Sequence, residues 1–108
     1  MTNAGDSSIP IACVVDAIPP EQRDAHSALV VTLFDQGARE QRDLPDGYEF
    51  VFPVDLLEAI ADFVGNERKC CPFVNFDLRV TAGSERVILR MTGPAGTREV
   101  LHAELLHT

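Results

Sequence analysis

The chain has 108 residues, of which 45% are hydrophobic, and it carries a formal net charge of -8. A chain of this length buries about two thirds of its unfolded surface, so we expect a single compact domain with its own core. The acidic balance argues against nucleic acids and anionic membranes as partners, because both select clustered positive charge.

The N-terminal segment predicts a tail followed by a buried strand. Residues 1–8 are small and polar, and without a basic start or an apolar run they predict a disordered tail rather than a signal peptide. Ile9–Val15 is apolar and rich in β-branched residues, which predicts a first strand that carries Cys13. No stretch reaches the roughly 18 apolar residues of a membrane span, so we expect one domain over residues 9–108 in a cytoplasmic protein.

A helix and a hairpin follow in the predicted order. Pro20 suits the first turn of a helix, and apolar residues continue at helical spacing towards Gly37, a residue type that commonly ends helices. Residues 39–44 are polar, so they predict an exposed edge strand at most. After the turn at residues 45–47, aromatic residues alternate over residues 48–52, which predicts the second strand of the hairpin.

A second helix, a second hairpin and a closing helix complete the pattern. Asp55 suits the N-cap of the second helix, whose apolar stripe leads towards Cys70 and Cys71. Pro72 disfavours helical geometry at the residue before it, so the helix should end there. Two segments of alternating polarity then predict two strands, and Gly93-Pro94 opens the last helix.

The predicted order of elements is therefore β-α-β-β-α-β-β-α. Hairpins interspersed with helices favour an α+β domain, a two-layer sandwich in which helices cover one face of a mainly antiparallel sheet. A ferredoxin-like arrangement is the nearest common topology. The order of the strands within the sheet stays open.

The end of the second helix concentrates the chemically reactive side chains. Glu67 precedes Cys70 by three residues and Cys71 by four, so the carboxylate can share a helix face with both thiols. That face is otherwise apolar, so a carboxylate there is paired, neutralised or functional. The competing interpretation is an exposed Glu67 that forms a salt bridge with Arg68 or Lys69.

The electrostatic setting favours a metal ion or an electrophile over a freely reactive nucleophile. The partial negative charge of a helix C-terminus disfavours a thiolate, whereas a bound cation stabilises it. If Cys13 points towards the second helix, three sulfurs converge and suit Cu(I), Hg(II) or As(III). Zn(II) would need a fourth ligand, for which the spacing singles out none of the histidines, His26, His102 and His107.

Simpler roles compete with this interpretation. Free cysteine is often a small buried hydrophobe, and this applies to Cys13 above all. An odd number of cysteines, too few for a secreted disulfide scaffold, predicts reduced thiols. A disulfide between the adjacent Cys70 and Cys71 would close a strained ring. His26 is expected on the surface of the first helix.

The segment Glu67-Arg68-Lys69-Cys70-Cys71-Pro72-Phe73 carries a family resemblance. Together with Phe76-Asp77-Leu78, Thr92-Gly93-Pro94-Ala95-Gly96 and Ile11-Ala12-Cys13, it resembles a group of short, poorly characterised bacterial proteins. They share an E-R-x-C-C-P-F core, and some are associated with heavy-metal resistance loci. The resemblance implies that Cys13, Cys70 and Cys71 work together and that Glu67 belongs with them.

The leading hypothesis is a thiol-based soft-metal-binding protein that serves in buffering, delivery or detoxification. Its ligands would be Cys70 and Cys71 with Cys13, and Glu67 would support them or bind the ion directly. The ion, copper(I), zinc or mercury(II), or a small thiophilic ligand, would be its partner. The alternatives are a small thiol enzyme for sulfur transfer, redox exchange or electrophile handling, and an interaction module with core cysteines. Whether the chain catalyses a reaction or forms a homodimer stays open.

Overall fold

A computed structural model describes residues 11–106, so the predicted tail over residues 1–8 lies outside the described part of the chain. This part forms a two-layer α+β sandwich, with helices over one face of an antiparallel sheet, which confirms the predicted fold class. The helices are α1 (Pro20–Val30), α2 (Leu57–Cys70) and α3 (Thr97–Leu105). The strands are β1 (Glu40–Leu44), β2 (Gly47–Pro53), β3 (Asn75–Val80) and β4 (Arg86–Thr92).

The sheet has the strand order β1-β2-β4-β3, and each neighbouring pair is antiparallel. Both predicted hairpins are therefore present. A Cβ atom at Gly47 would overlap the Met91 carbonyl of β4, so only glycine fits where the first hairpin meets the central strand. The face of the sheet that the helices cover is buried and apolar, with Phe50, Phe52, Val87, Leu89 and Met91 at its centre.

The helix ends follow the sequence in part. α1 begins at Pro20 as predicted and continues as a π-helical segment, Val31–Gly37. The predicted N-cap at Asp55 is wrong, because a 3-10 turn over Val54–Leu56 places Asp55 inside a helical turn instead of before it. α2 ends at Cys70, where the sequence before Pro72 predicts its end. None of the described helices is long and apolar enough to cross a membrane.

The predicted first strand is wrong over residues 11–15, while Ile9 and Pro10 lie outside the described residues. The segment is irregular up to a 3-10 turn over Val15–Ala17. Its backbone binds the end of α2 instead of a strand, since the Val14 N–H donates to the Cys70 carbonyl at 2.7 Å. A carbonyl in the last turn of a helix has no partner within the helix, so the apolar segment has a strong alternative to sheet pairing.

Candidate metal centre

The end of α2 meets the segment before α1 at three cysteine side chains. The Cys71 N–H donates to the Glu67 carbonyl at 2.7 Å, which closes the last turn, and Val14 holds the other segment against Cys70. The Sγ atoms of Cys13, Cys70 and Cys71 all lie within 4.8 Å of one another. Three sulfurs that share one ion at the Zn–S bond length of about 2.3 Å would lie about 4 Å apart. With all three cysteines reduced, the cluster could therefore hold a metal ion, as the sequence predicted.

Two of the three cysteines are covalently joined. Cys13 and Cys71 form a disulfide, and their Cα atoms lie 4.6 Å apart. The expectation of three reduced thiols is therefore wrong for this state of the protein, because folding brings together two cysteines that are 58 residues apart in the chain. Cys70 is free and buried. The disulfide fastens the segment before α1 to the end of α2.

Glu67 lies beneath this disulfide, on the same side of α2 as both cysteines. The residue is only 2% exposed. Its Oε1 atom is 2.8 Å from His26 Nε2, and its Oε2 atom is 3.3 Å from Cys71 Sγ. In the disulfide that sulfur carries no hydrogen, whereas a reduced Cys71 thiol could donate to the carboxylate. The alternative prediction, an exposed Glu67 in a salt bridge with Arg68 or Lys69, is wrong. Glu67 is buried, whereas both cations are exposed to solvent.

His26 gives the buried carboxylate its polar partner. The imidazole is 7% exposed, so its predicted place on the surface of α1 is wrong. It stacks on Phe63, with ring centroids 5.5 Å apart and planes at 4°, and its Nε2 forms a hydrogen bond with the Glu67 carboxyl group. The Nδ1 atom is buried and has no hydrogen-bond partner among the described residues. This contact joins α1 to α2 and offsets the cost of burying the Glu67 carboxyl group.

Cys70 has a different electrostatic environment from its neighbour. Burial raises the pKa of the Cys70 thiol to about 11, and the negative charges of Glu67 and Glu104 add to this shift. A hydrogen bond from the Val14 backbone opposes it. Without a cation, Cys70 is therefore a neutral thiol at pH 7.

Carboxylates, not imidazoles, lie next to the sulfur cluster among the described residues. Atoms of Cys13, Glu67 and Glu104 also lie within 4.8 Å of one another. Among the described residues, no cluster that could hold a metal ion includes a histidine. His26 is hydrogen-bonded to Glu67, and His102 is exposed on α3. His107 lies outside the described residues. Glu104 was not predicted, because it comes from another helix and no local spacing connects it to the cysteines.

An open cleft of about 400 Å³ reaches the site from the side of α1 and α3. Cys70, Glu67 and His26 form its chemically reactive wall. The cleft gives a small ion or ligand a route to the Cys70 side of the cluster. Its remaining walls are formed by Ile18, Ser27, Val30, Val31, Ala103 and Glu104.

No family model, curated protein or solved structure matches the chain. The resemblance around Glu67-Arg68-Lys69-Cys70-Cys71-Pro72-Phe73 therefore stays a prediction. The candidate site rests on the positions of its own side chains.

Proposed function

We propose that the reduced chain binds one soft metal ion through Cys13, Cys70 and Cys71, in the cytoplasm, for buffering, delivery or detoxification. One observation carries this proposal: three sulfurs from two remote segments lie within 4.8 Å of one another. Two of them come from the end of a helix and the third from a segment that is fixed to that end. Thiolates select soft ions, so Cu(I) and Hg(II) suit three sulfurs.

The surroundings of the sulfurs support a cation as the missing partner. Glu67 is buried at the site, and it adds negative charge to that of any thiolate. A thiolate at Cys70 is unfavourable there without a cation, and a bound ion reverses this by holding the sulfur deprotonated. Glu67 would position Cys71, and its carboxylate, 3.3 Å from Cys71 Sγ, is a candidate for the fourth ligand that Zn(II) requires.

The Cys13–Cys71 disulfide implies that metal binding depends on the redox state. Both sulfurs of the bond belong to the proposed ligand set, so the oxidised chain retains only Cys70 as a free thiol. Two molecules of a low-molecular-weight thiol would reduce the bond and leave as their own disulfide, so that electrons and protons balance. The reduced state would then bind the ion, in keeping with a compartment whose thiol pool keeps cysteines reduced.

Native mass spectrometry tests the proposal with Cu(I), Zn(II) and Hg(II) added separately under anaerobic conditions. We expect the reduced protein to bind one soft ion, and the disulfide form to bind it at least about 100-fold more weakly, since two ligands are lost. Cys13→Ser, Cys70→Ser and Cys71→Ser should each weaken binding, while Ser27→Ala at the cleft wall serves as the matched control. Equal binding by Cys70→Ser/Cys71→Ser and the wild type for every ion would contradict the proposal.

A second candidate function is thiol–disulfide exchange, which the Cys13–Cys71 bond favours. Cys13 is only half-buried, so a substrate thiolate could attack its sulfur and release Cys71 as a thiolate. A second substrate thiol would resolve the mixed disulfide, which oxidises two thiols and reduces the protein disulfide. With oxidised glutathione supplied to regenerate the protein disulfide, catalytic turnover of a dithiol substrate that Cys13→Ser abolishes would favour this function. A single stoichiometric reaction in the presence of that oxidant would argue against it.

A further inference from the structure

The edge strand β3 leaves an apolar surface uncovered on the helix side of the sheet. Phe76, Leu78 and Val80 lie on that side, because each pairs with a buried residue of β4. Leu78 is nevertheless 40% exposed and Val80 48% exposed. The helices therefore cover the middle of the sheet and half-bury Phe76, but they leave Leu78 and Val80 in solvent. Their partners on β4 are Met91, Leu89 and Val87, respectively.

The opposite edge of the sheet is different. On β1 the helix-side positions hold Gln41 and Asp43, which pair with Phe50 and Tyr48 of β2. Inward-facing polar and charged residues are a common means by which edge strands avoid pairing with another chain. β1 has this protection, whereas β3 carries apolar residues at the equivalent positions.

A row of alternating charges on the outer face of the sheet also ends at β3. Arg42, Glu49, Arg90 and Asp77 are consecutive cross-strand partners from β1 to β3. Glu49 accepts hydrogen bonds from both arginines, each at 2.8 Å. The row stops at Asp77, which is exposed at the edge and has a cation on its inner side only. The position beyond Asp77 would suit another cation.

We propose that two copies of the chain form a dimer by antiparallel pairing of their β3 strands about a two-fold axis at Leu78. In this register Asp77 of each copy faces Arg79 of the other, which continues the charge row. Leu78 faces its own counterpart, and Phe76 faces Val80, so the uncovered apolar stripes join on the helix side. Opposite charges and apolar pairs directly across two antiparallel strands stabilise their pairing.

The sequence of β3 selects this register over its neighbours. A two-fold axis at Asp77 or at Arg79 would place like charges directly opposite each other, which destabilises the pair. An axis between two residues would place side chains that point to opposite faces directly across from each other, which does not match the pleat of an antiparallel pair. Arg79 forms no salt bridge with another described residue, so its charge is available to a second copy.

A charge-exchange experiment tests the proposed pairing by sedimentation velocity at physiological salt. We expect the wild type to sediment with twice the 11.8 kDa mass of the chain. Asp77→Arg and Arg79→Asp should each be monomeric, because each places like charges opposite each other. An equimolar mixture of these two variants should again form dimers, since both charged pairs across the interface are then of opposite charge. A wild type that remains monomeric up to about 100 μM would overturn the proposal, because a micromolar contact is populated there.

A cysteine cross-link tests the position of the axis independently of charge. Leu78→Cys places two thiols directly opposite each other, at a Cα separation of about 4.5–5.5 Å that a disulfide can span. Mild oxidation with diamide, in a Cys70→Ser background, should yield a covalent dimer. The matched control is Val80→Cys, on the same exposed face but about four residues from its counterpart, and it should not cross-link. Equal cross-linking of both variants, or none by Leu78→Cys, would overturn the proposed register.

Discussion

Cys70 and Cys71 are neighbours in the chain, yet Cys71 forms a disulfide while Cys70 remains a free thiol. Cys71 leaves the helix with φ −120°, joins Cys13 and lies against Glu67. Cys70 is the last residue of α2, and it is free and buried, with a raised pKa. Two adjacent residues at one helix end thus form a covalent cross-link and a neutral thiol at a cleft.

The difference shows what a helix end does to adjacent residues. If the helix continued through Cys71, the side chains of Cys70 and Cys71 would be separated by a rotation of about 100° around the axis of α2. Pro72 ends the helix at this point, so the second side chain is free to turn towards Cys13. Adjacent thiols can therefore differ in reactivity while both remain within reach of one ion.

The largest expected effect is the loss of the cross-link in Cys71→Ser. A disulfide across 58 residues should contribute about 4 kcal/mol to the free energy of unfolding through the entropy of the unfolded chain. Urea denaturation should show this loss in Cys71→Ser and a smaller change in Cys70→Ser, which keeps the disulfide. Thiol titration of the denatured variants verifies the bonding, with two free thiols expected for Cys71→Ser and none for Cys70→Ser. Equal destabilisation by the two substitutions would remove the contrast between the cysteines.

The second prediction concerns the rate at which iodoacetamide modifies Cys70 in the oxidised, metal-free protein. With a pKa of about 11 against an ordinary value of 9.0, the thiolate fraction at pH 7 should be about 100-fold below that of an unperturbed cysteine. Because the thiolate is the reactive form, the rate should rise about tenfold per pH unit and level off only near pH 11. A plateau below pH 9 would contradict the buried, negatively charged setting of Cys70.

The third prediction concerns Glu67, whose carboxyl group influences both cysteines. Glu67→Gln retains a polar side chain of similar shape but removes the negative charge of Glu67. In the wild type that charge faces Cys71, and it contributes to the raised pKa of Cys70. We expect the affinity of the reduced protein for a soft ion to fall about 10- to 100-fold, as for other groups that support metal ligands. Competition titration with a Cu(I) chelator measures the change. Glu58→Gln, at an exposed position of the same helix, is the control, and an equal effect there would contradict a local role of Glu67.

The smallest expected effect is that of His26→Phe. The substitution keeps a ring to stack on Phe63 but leaves the buried Glu67 carboxyl group without its hydrogen-bond partner His26. An unsatisfied buried group costs about 1–3 kcal/mol, so thermal unfolding should occur at lower temperature. The double variant His26→Phe/Glu67→Leu should recover part of this loss, because it removes both polar groups. No change in His26→Phe would contradict the buried pair.

Local patterns were sufficient to predict most of the fold. Alternation identified the strands around Phe50 and Leu89, and Pro20 and Pro72 marked where helices begin and end. The first strand was predicted wrongly because an apolar, β-branched run indicates burial but not its partner. Val14 finds that partner at the Cys70 carbonyl, a contact between remote segments that no pattern within Ile9–Val15 contains.

The candidate site was predictable where its members are close in the chain. The spacing from Glu67 to Cys70 and Cys71 placed all three on one side of α2. The disulfide with Cys13 and the hydrogen bond from His26 depend on how other segments pack against that helix. His26 lies on a mostly polar helix, so its sequence neighbours indicated solvent, whereas the contact with α2 buries it.

X-ray absorption spectroscopy at the copper edge tests the central claim most directly. The sample is the reduced protein with one equivalent of Cu(I), prepared without oxygen and without competing thiols. If Cys13, Cys70 and Cys71 bind one ion together, the spectrum should show three sulfur neighbours, and Cys13→Ser should reduce them to two. Fewer than three sulfurs in the wild type, or a spectrum that Cys13→Ser leaves unchanged, would contradict the account.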